Sequence, residues 1–454
     1  MSQKKYPKEV IDYLNRKAIN RWKLEWNEVS GIENVIVVPA IAEFENIHNL
    51  LSSIIKNDRS SLQKTLIIFV INNSLSSDSK IKEDNRKSLE LLRSIMNKYT
   101  SEDFLVDISK KDINIGLIDA ASDGNEFTDK EAGVGLTRKI GLDEALKVFD
   151  YTKPGKKILF FLDADCLVDG NYLKEMNDIF NEKNISVATV DFEHSTEKKG
   201  DYRKGIITYE IFLRHYVTGL LFAKSPFAFH TIGSTLVCDY EAYVKVGGMN
   251  TRKAAEDFYF LQKVAKFYNI HRITLTKVRP SARESWRVPF GTGKSMGDYL
   301  SNQKKIFLYD PTEFVILKAW LELFNSDIAL NIEILLTEAM KIHPELFNFL
   351  QNCEFKENWK RILDNSKSEK QLIYQRKNWF DAFKTLKLMH HLRDTSFPMM
   401  EVSAGIKYFF KVVGGYSEIN FQNEKDDEIT YKNYLDQLIQ LEVSLNKKLE
   451  KYYA

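Results

Sequence analysis

The sequence predicts a doubly wound α/β fold with a mostly parallel sheet, an N-terminal helix and an all-helical C-terminal part. Three observations predict it: short unbroken apolar runs that stop at turn residues, helical spacing between those runs, and loss of the strand pattern after residue 305. Runs that are apolar throughout, rather than alternating, mark strands covered on both faces, as a parallel sheet layered by helices requires.

Residues 7–28 carry Val10, Ile11, Leu14, Ala18, Ile19 and Trp22 at helical spacing, which predicts a helix clasping the next domain. The first strand, 35–38, stops at Pro39, and the second, 66–71, stops at Asn72-Asn73-Ser74. Helices are expected at 45–56 and at 82–99, the latter with Leu89, Leu92, Ile95 and Met96 on one face. A third buried strand, 157–162, runs into Asp163-Ala164-Asp165. Ligands of such sheets bind beyond the carboxyl ends of strands, so the loops after Val38, Ile71 and Leu162 should converge on one cleft. Segments 312–324, 328–341, 369–389 and 430–451 read as helices, punctuated by Pro311, Pro344 and Pro398. The expected ranges are an N-terminal helical segment at 1–30, a catalytic domain at 31–304 and a helical domain at 305–454.

At 454 residues and 44% apolar content the chain has material for two or three cored domains. Lysine and arginine (65) nearly balance aspartate and glutamate (63), which excludes nucleic-acid binding by global charge; an anionic ligand must meet local cations. Cys166, Cys238 and Cys353 are far apart and read as buried thiols in a reducing compartment. No run reaches the roughly 18 to 20 apolar residues of a membrane span, and the first residues have no signal-peptide core, so a cytoplasmic location is expected.

Asp163-Ala164-Asp165 is the strongest chemical signal. On extended chain, carboxylates at i and i+2 face the same side and can hold a hard divalent ion that leaves positions open for phosphate oxygens. A polar turn at the strand terminus is the plainer reading. Gly133-Val134-Gly135, before a helix expected at 136–149, could bring backbone amides to a phosphate, although the spacing fits a flexible turn better because Gly141 falls too late for a dinucleotide fingerprint. His230 precedes a strand at 235–238 and could line a pocket; a lone histidine is more often packed. No histidine pair supports zinc catalysis, and no serine sits in a nucleophile elbow.

Over residues 33–295 the chain resembles the family 2 glycosyltransferases of the GT-A fold. The motifs occur in the family's order: Pro39-Ala40-Ile41-Ala42-Glu43 with Glu45-Asn46-Ile47, then Asn72-Asn73-Ser74, Thr137-Arg138-Lys139, Asp163-Ala164-Asp165, Gly247-Gly248-Met249 and Glu256-Asp257. Glu256 to Leu261 and Arg287 to Gly293 look like a bacterial branch of it. The resemblance implies that Pro39, Glu43 and Asn72 border a nucleoside pocket, that Arg138 reaches toward the nucleotide, and that Asp163 lies near ribose and metal. It makes Asp165 the direct ligand of Mn2+ or Mg2+, and Asp257, beside Glu256, the base that activates the acceptor. Arg287 would belong to a lid over the diphosphate, within Arg283 to Lys294. Ala42 stands where the family has asparagine, and Ile71-Asn72 where it has an acidic pair or Asp-Asn, so the base could be uridine or guanosine. The Gln-x-x-Arg-Trp of processive members is missing.

The expected activity is inverting, metal-dependent transfer from a UDP- or GDP-sugar to a hydroxyl on a glycan, lipid or small molecule. A retaining transferase, a sugar nucleotidyltransferase and an inactive glycan-binding scaffold are the alternatives. The C-terminal helices are a candidate surface for homo-oligomers.

Overall fold

The computed structural model describes residues 6–97, 108, 111, 113–195, 197–284, 291–301, 305–415 and 427–453. The protein is a mixed α/β structure with a large, mostly parallel central sheet and a helical C-terminal region. By internal contacts it divides into two units, 1–195 with 231–281, and 196–230 with 282–454.

In the first unit the chain runs α1 (Lys8–Arg16), β1 (Leu24–Trp26), β2 (Asn34–Ala40), α2 (Phe44–Ile54), α3 (Arg59–Gln63), β3 (Thr65–Asn72), α4 (Ser79–Met96), β4 (Asn114–Ala120), α5 (Val134–Val148), β5 (Ile158–Phe161), β6 (Leu167–Val168), α6 (Tyr172–Glu182) and β7 (Val187–Phe192). It leaves as α7 (Asp201–Phe222) and returns as β8 (Leu236–Asp239), α8 (Tyr240–Lys245), α9 (Glu256–Ala265) and β9 (His271–Arg279). The sheet order is β1-β4-β3-β2-β5-β8-β7-β9-β6. The central β4, β3, β2 and β5 are all parallel, and antiparallel pairs enter at β1–β4, β5–β8, β8–β7 and β9–β6. All of β3 and all but Pro39 of β2 are buried, which is why their sequences are apolar without alternation.

The expected N-terminal helix stops at Arg16 because tertiary contacts take the chain beyond it. Ile19 N donates to Asp143 Oδ2 at 3.1 Å, and the Trp22 indole donates to Asn125 O at 2.7 Å. Cys166 and Cys238 are buried free thiols and Cys353 is half-buried.

The second unit joins α7 to α10 (Thr292–Leu300), β10 (Phe307–Leu308), α11 (Pro311–Phe324), α12 (Ile332–Ile342), α13 (Pro344–Asn352), α14 (Phe355–Asn365), α15 (Glu369–Trp379), α16 (Ala382–Thr395), β11 (Met400–Glu401), α17 (Val402–Val412) and α18 (Glu428–Tyr453). It differs from the expected all-helical part in three ways. β10 and β11 pair antiparallel. The helix expected at 328–341 starts at Ile332, after a 3-10 turn. The one expected at 369–389 breaks at Phe380-Asp381, where the Asp381 carboxylate caps the next helix through Lys384 N. The unit also recruits α7, from within the range read as catalytic domain. Its core is aromatic, with Trp320 fully buried and stacked on Phe324 at 4.9 Å.

Within that core α7 and α18 share a buried ion pair: Arg214 donates to Glu210 Oε1 at 3.1 Å and to Glu442 Oε2 at 3.0 Å. Glu313 on α11 is also buried, and among the described residues neither carboxylate oxygen has a hydrogen-bond partner. Burial pushes its pKa up to about 9. The folded state therefore keeps this proton where the unfolded chain has lost it. The stability it contributes is complete below the ordinary carboxylate range and is lost as pH rises through about 9. Glu313→Gln should flatten the decline of Tm with rising pH; parallel Tm–pH curves for variant and parent would refute this.

Candidate functional site

The chain winds from β2 outward to β3 and β4, then back across to β5 on the other side of β2. That reversal makes a crevice beyond the carboxyl ends of β2 and β5. Their ladder ends at Val37↔Phe161, with Leu162 N donating to Val37 O at 3.2 Å. Pro39, with no N–H to give, lies just past that point, so the strands part there.

Asp163-Ala164-Asp165 opens at this mouth, but as a turn and not as extended chain: Cys166 N donates back to Asp163 O at 3.1 Å. The same-side argument for the two carboxylates therefore does not apply, and the polar-turn reading describes the backbone. Asp163 and Asp165 are both half-buried.

Arg138 of α5 is 2% exposed. Its Nη2 donates to Asp163 Oδ1 at 2.5 Å and its Nε to Glu256 Oε1 at 3.1 Å, while Nη1 is buried with no hydrogen-bond partner among the described residues. The loop at 231–235 passes close to it: a Cβ on Gly233 would lie 2.7 Å from Arg138 Nη2 and 3.4 Å from Asp257 Oδ2, so any larger residue there would have to displace the guanidinium. One guanidinium thus bonds two acids from two distant stretches of sequence, Asp163 and Glu256.

Glu256 and Asp257 open α9, which starts from Ala255 in the left-handed region at φ 58°. Asp257 is half-buried and accepts a hydrogen bond from Phe258 N at 2.7 Å. Burial and the neighbouring Glu256 carboxylate raise its pKa to about 7, and burial raises that of Glu256 against the pull of Arg138. First-turn acids suit a helix dipole, but here Glu256 also pairs with a buried cation.

Lys139, next to Arg138, points elsewhere. It binds Asp143 at 2.9 Å inside a buried network with the Tyr13 and Tyr243 hydroxyls. Gly133 and Gly135 are packing residues: a Cβ on Gly135 would lie 2.3 Å from Arg252 O, and Gly135 N already donates to that carbonyl. This corrects the phosphate-amide reading.

Glu43 is buried and accepts from Asn46. Asn72 is buried too, and its amide donates to Ala40 O at 3.0 Å, tying β3 to β2. Sequence reasoning missed Asn85. From α4 it donates to Asn72 O and to Asn73 Oδ1, both at 2.9 Å, and accepts from Ala42 N at 2.9 Å. Its signal was a polar residue four positions after Ile81 and four before Leu89, on the apolar face of the helix. Asp84 completes the bracing by accepting from Phe44 N at 3.0 Å. His230 belongs to the second unit, where its Nε2 lies 2.6 Å from Glu442 Oε1. Arg287 lies outside the described residues, as does the rest of 285–290 from the expected lid.

No protein-family model matches the sequence, and no curated protein matches it. Among solved structures, S. aureus TarS 1-349 in complex with UDP-GlcNAc is 16% identical with a TM-score of 0.38, over 87% of this chain and 95% of that one. The mannosyltransferase PcManGT from Pyrobaculum calidifontis, in complex with GDP-Man and Mn2+, is 13% identical with a TM-score of 0.34, over 96% of this chain and 94% of that one. Similarities at this level assign no role to any residue here.

Proposed function

We propose that the chain is a glycosyltransferase of GT-A type that moves a sugar from a UDP- or GDP-linked donor to a hydroxyl on a glycan, lipid or small molecule. The observation that carries this reading is the buried Arg138 at the switch-point crevice, shared by Asp163 and Glu256, with Asp257 alongside. Sugar transfer needs stabilisation of the charge growing on a departing diphosphate and a group to take the acceptor's proton. Arg138, whose Nη1 has no hydrogen-bond partner among the described residues, is the cation for the first. Asp257 is the base for the second, because a carboxyl whose pKa stands near 7 can accept a proton at neutral pH and still bind it in the transition state. Inversion of the anomeric centre follows if a single attack is assisted by that base.

Asp163 and Asp165 are hard oxygen donors at the open mouth, and among the described residues no group of three or more His, Cys, Asp or Glu side chains is placed to hold a metal ion. That donor set fits Mg2+ or Mn2+ bound by one or two carboxylates with a ligand's phosphates completing the shell. Such an ion would supply further positive charge to the leaving diphosphate. Asp165→Ala should abolish the metal dependence of UDP or GDP binding while leaving the fold intact. Calorimetry with manganese and with chelator checks it; equal nucleotide affinity in both would overturn the metal assignment. Thermal shifts with a panel of nucleotide-sugars test the donor reading, and no stabilisation by any of them would count against it.

Among the described residues no helix is long and apolar enough to cross a membrane.

A further inference from the structure

A cavity lies at the opposite end of β5 from the crevice. The connection from α5 to β5 reads Asp150-Tyr151-Thr152-Lys153-Pro154-Gly155-Lys156-Lys157, three lysines within five residues around a Pro-Gly turn. The loop is fixed in place from several sides. Asp150 Oδ1 accepts from the Thr152 N–H at 3.1 Å, Asn181 Oδ1 accepts from Lys156 N at 2.9 Å, and Lys156 Nζ pairs with Asp239 at 2.8 Å. Between this loop, Asn181 and Tyr240 is a cavity of about 400 Å3.

Lys157, which lines it, is 3% exposed. Its ammonium donates to Lys153 O at 3.0 Å and Gly155 O at 3.2 Å, and among the described residues it forms no salt bridge with a carboxylate. Glu33 and Asp150 act on it only at longer range, and Glu33 is itself paired with Lys64 at 3.1 Å. Burial consequently pushes the Lys157 pKa down. A cation taken out of water without a counter-charge is costly, and a neighbouring cavity is where an anion can offset that cost. Lys153, exposed on the same loop, offers a second ammonium. Tyr151 and Tyr240, edge to face at 5.2 Å, give the wall an aromatic surface on which a sugar ring can lie. Glu241 also lines the cavity, so the net positive charge is small and suits one phosphate group better than a polyphosphate chain.

We propose that this pocket binds a small phosphomonoester, a phosphorylated sugar by class, at a site separate from the crevice. The loop supplies the charge for the phosphate and the tyrosines the face for the ring.

The test uses the full chain, with inorganic phosphate, glucose 6-phosphate and glucose as probes in thermal-shift and calorimetric titrations. Both phosphates should stabilise the protein and glucose should not, and glucose 6-phosphate should bind more tightly than inorganic phosphate. Lys157→Met should weaken binding by about 10- to 100-fold, as expected for loss of a hydrogen bond to a charged group. Asp165→Ala, in the crevice, should leave it unchanged. Should Lys157→Met fail to fold, Lys153→Ala at an exposed position should still lower affinity. No stabilisation by either phosphate, binding unaffected by both lysine substitutions, or binding lost in Asp165→Ala would each overturn the proposal.

Discussion

Asp257→Asn should lower kcat by about 10²- to 10⁴-fold, the range a general base contributes, with little change in donor affinity. The parent enzyme should lose activity as pH falls below about 7, where Asp257 takes up a proton, and the variant should lack that limb. The fold should respond in the opposite sense. Because the folded-state pKa is raised, Asp257 contributes stability that is full below the ordinary carboxylate range and lost as pH rises through about 7. At pH 8 the parent carries the cost of a half-buried charge beside Glu256, so the asparagine variant should be more stable, by on the order of 1 to 3 kcal/mol. An Asp257→Asn protein with near-normal kcat, or a product retaining the donor's anomeric configuration by NMR, would defeat the assignment. A variant that loses both activity and stability would point to a structural role instead.

Arg138→Met should be the most damaging single change in the first unit. Removing one partner of a buried ion pair costs about 3 to 5 kcal/mol, because the charge left behind stays out of water. Here Glu256 is buried and Asp163 only half-buried, which favours the lower end. The loss should be larger at pH 8 than at pH 5, since protonating Glu256 and Asp257 relieves the uncompensated charge. A second substitution, Glu256→Gln, should restore part of it in a double-mutant cycle. Unfolding curves for Arg138→Met that match the parent at pH 8 would refute the account.

Much of the first unit was legible because burial on both faces writes itself into sequence as unbroken apolar runs: β2, β3 and β5 fell within a residue or two of expectation. β4 was not legible, since Gly116 and Asp119 interrupt it, nor was β9, where Arg272, Thr274, Thr276 and Lys277 are interspersed among its apolar residues and break any continuous run. α5 was found, but its chemistry was only half visible. It is buried nearly all round, so Arg138, Lys139 and Asp143 carry no stripe to show which of them faces the acids and which the tyrosines. The Arg138 cluster depends on pairing residues 118 and 25 positions apart, information that no local window contains. Asp163, Glu256 and Asp257 could be picked out because acids at strand and helix ends are conspicuous; a polar turn at Asp163-Ala164-Asp165 was readable too, but not that Asp163 pairs with Arg138.

The ion pair between α7 and α18 bears on how the chain is made. Arg214 and Glu442 are 228 residues apart. At the usual 5 to 20 residues per second, Arg214 is added to the chain roughly 10 to 45 s before Glu442. During that interval Arg214 has Glu210 on its own helix but not Glu442, and α18 is not there to cover α7, although Val187–Phe192 before it and Leu236–Asp239 after it already have sheet neighbours to join. The nascent chain must therefore carry an unfinished apolar helix between two strands that can already pair. That places the greatest exposure to aggregation, and the clearest need for a holding chaperone, in the second half of translation.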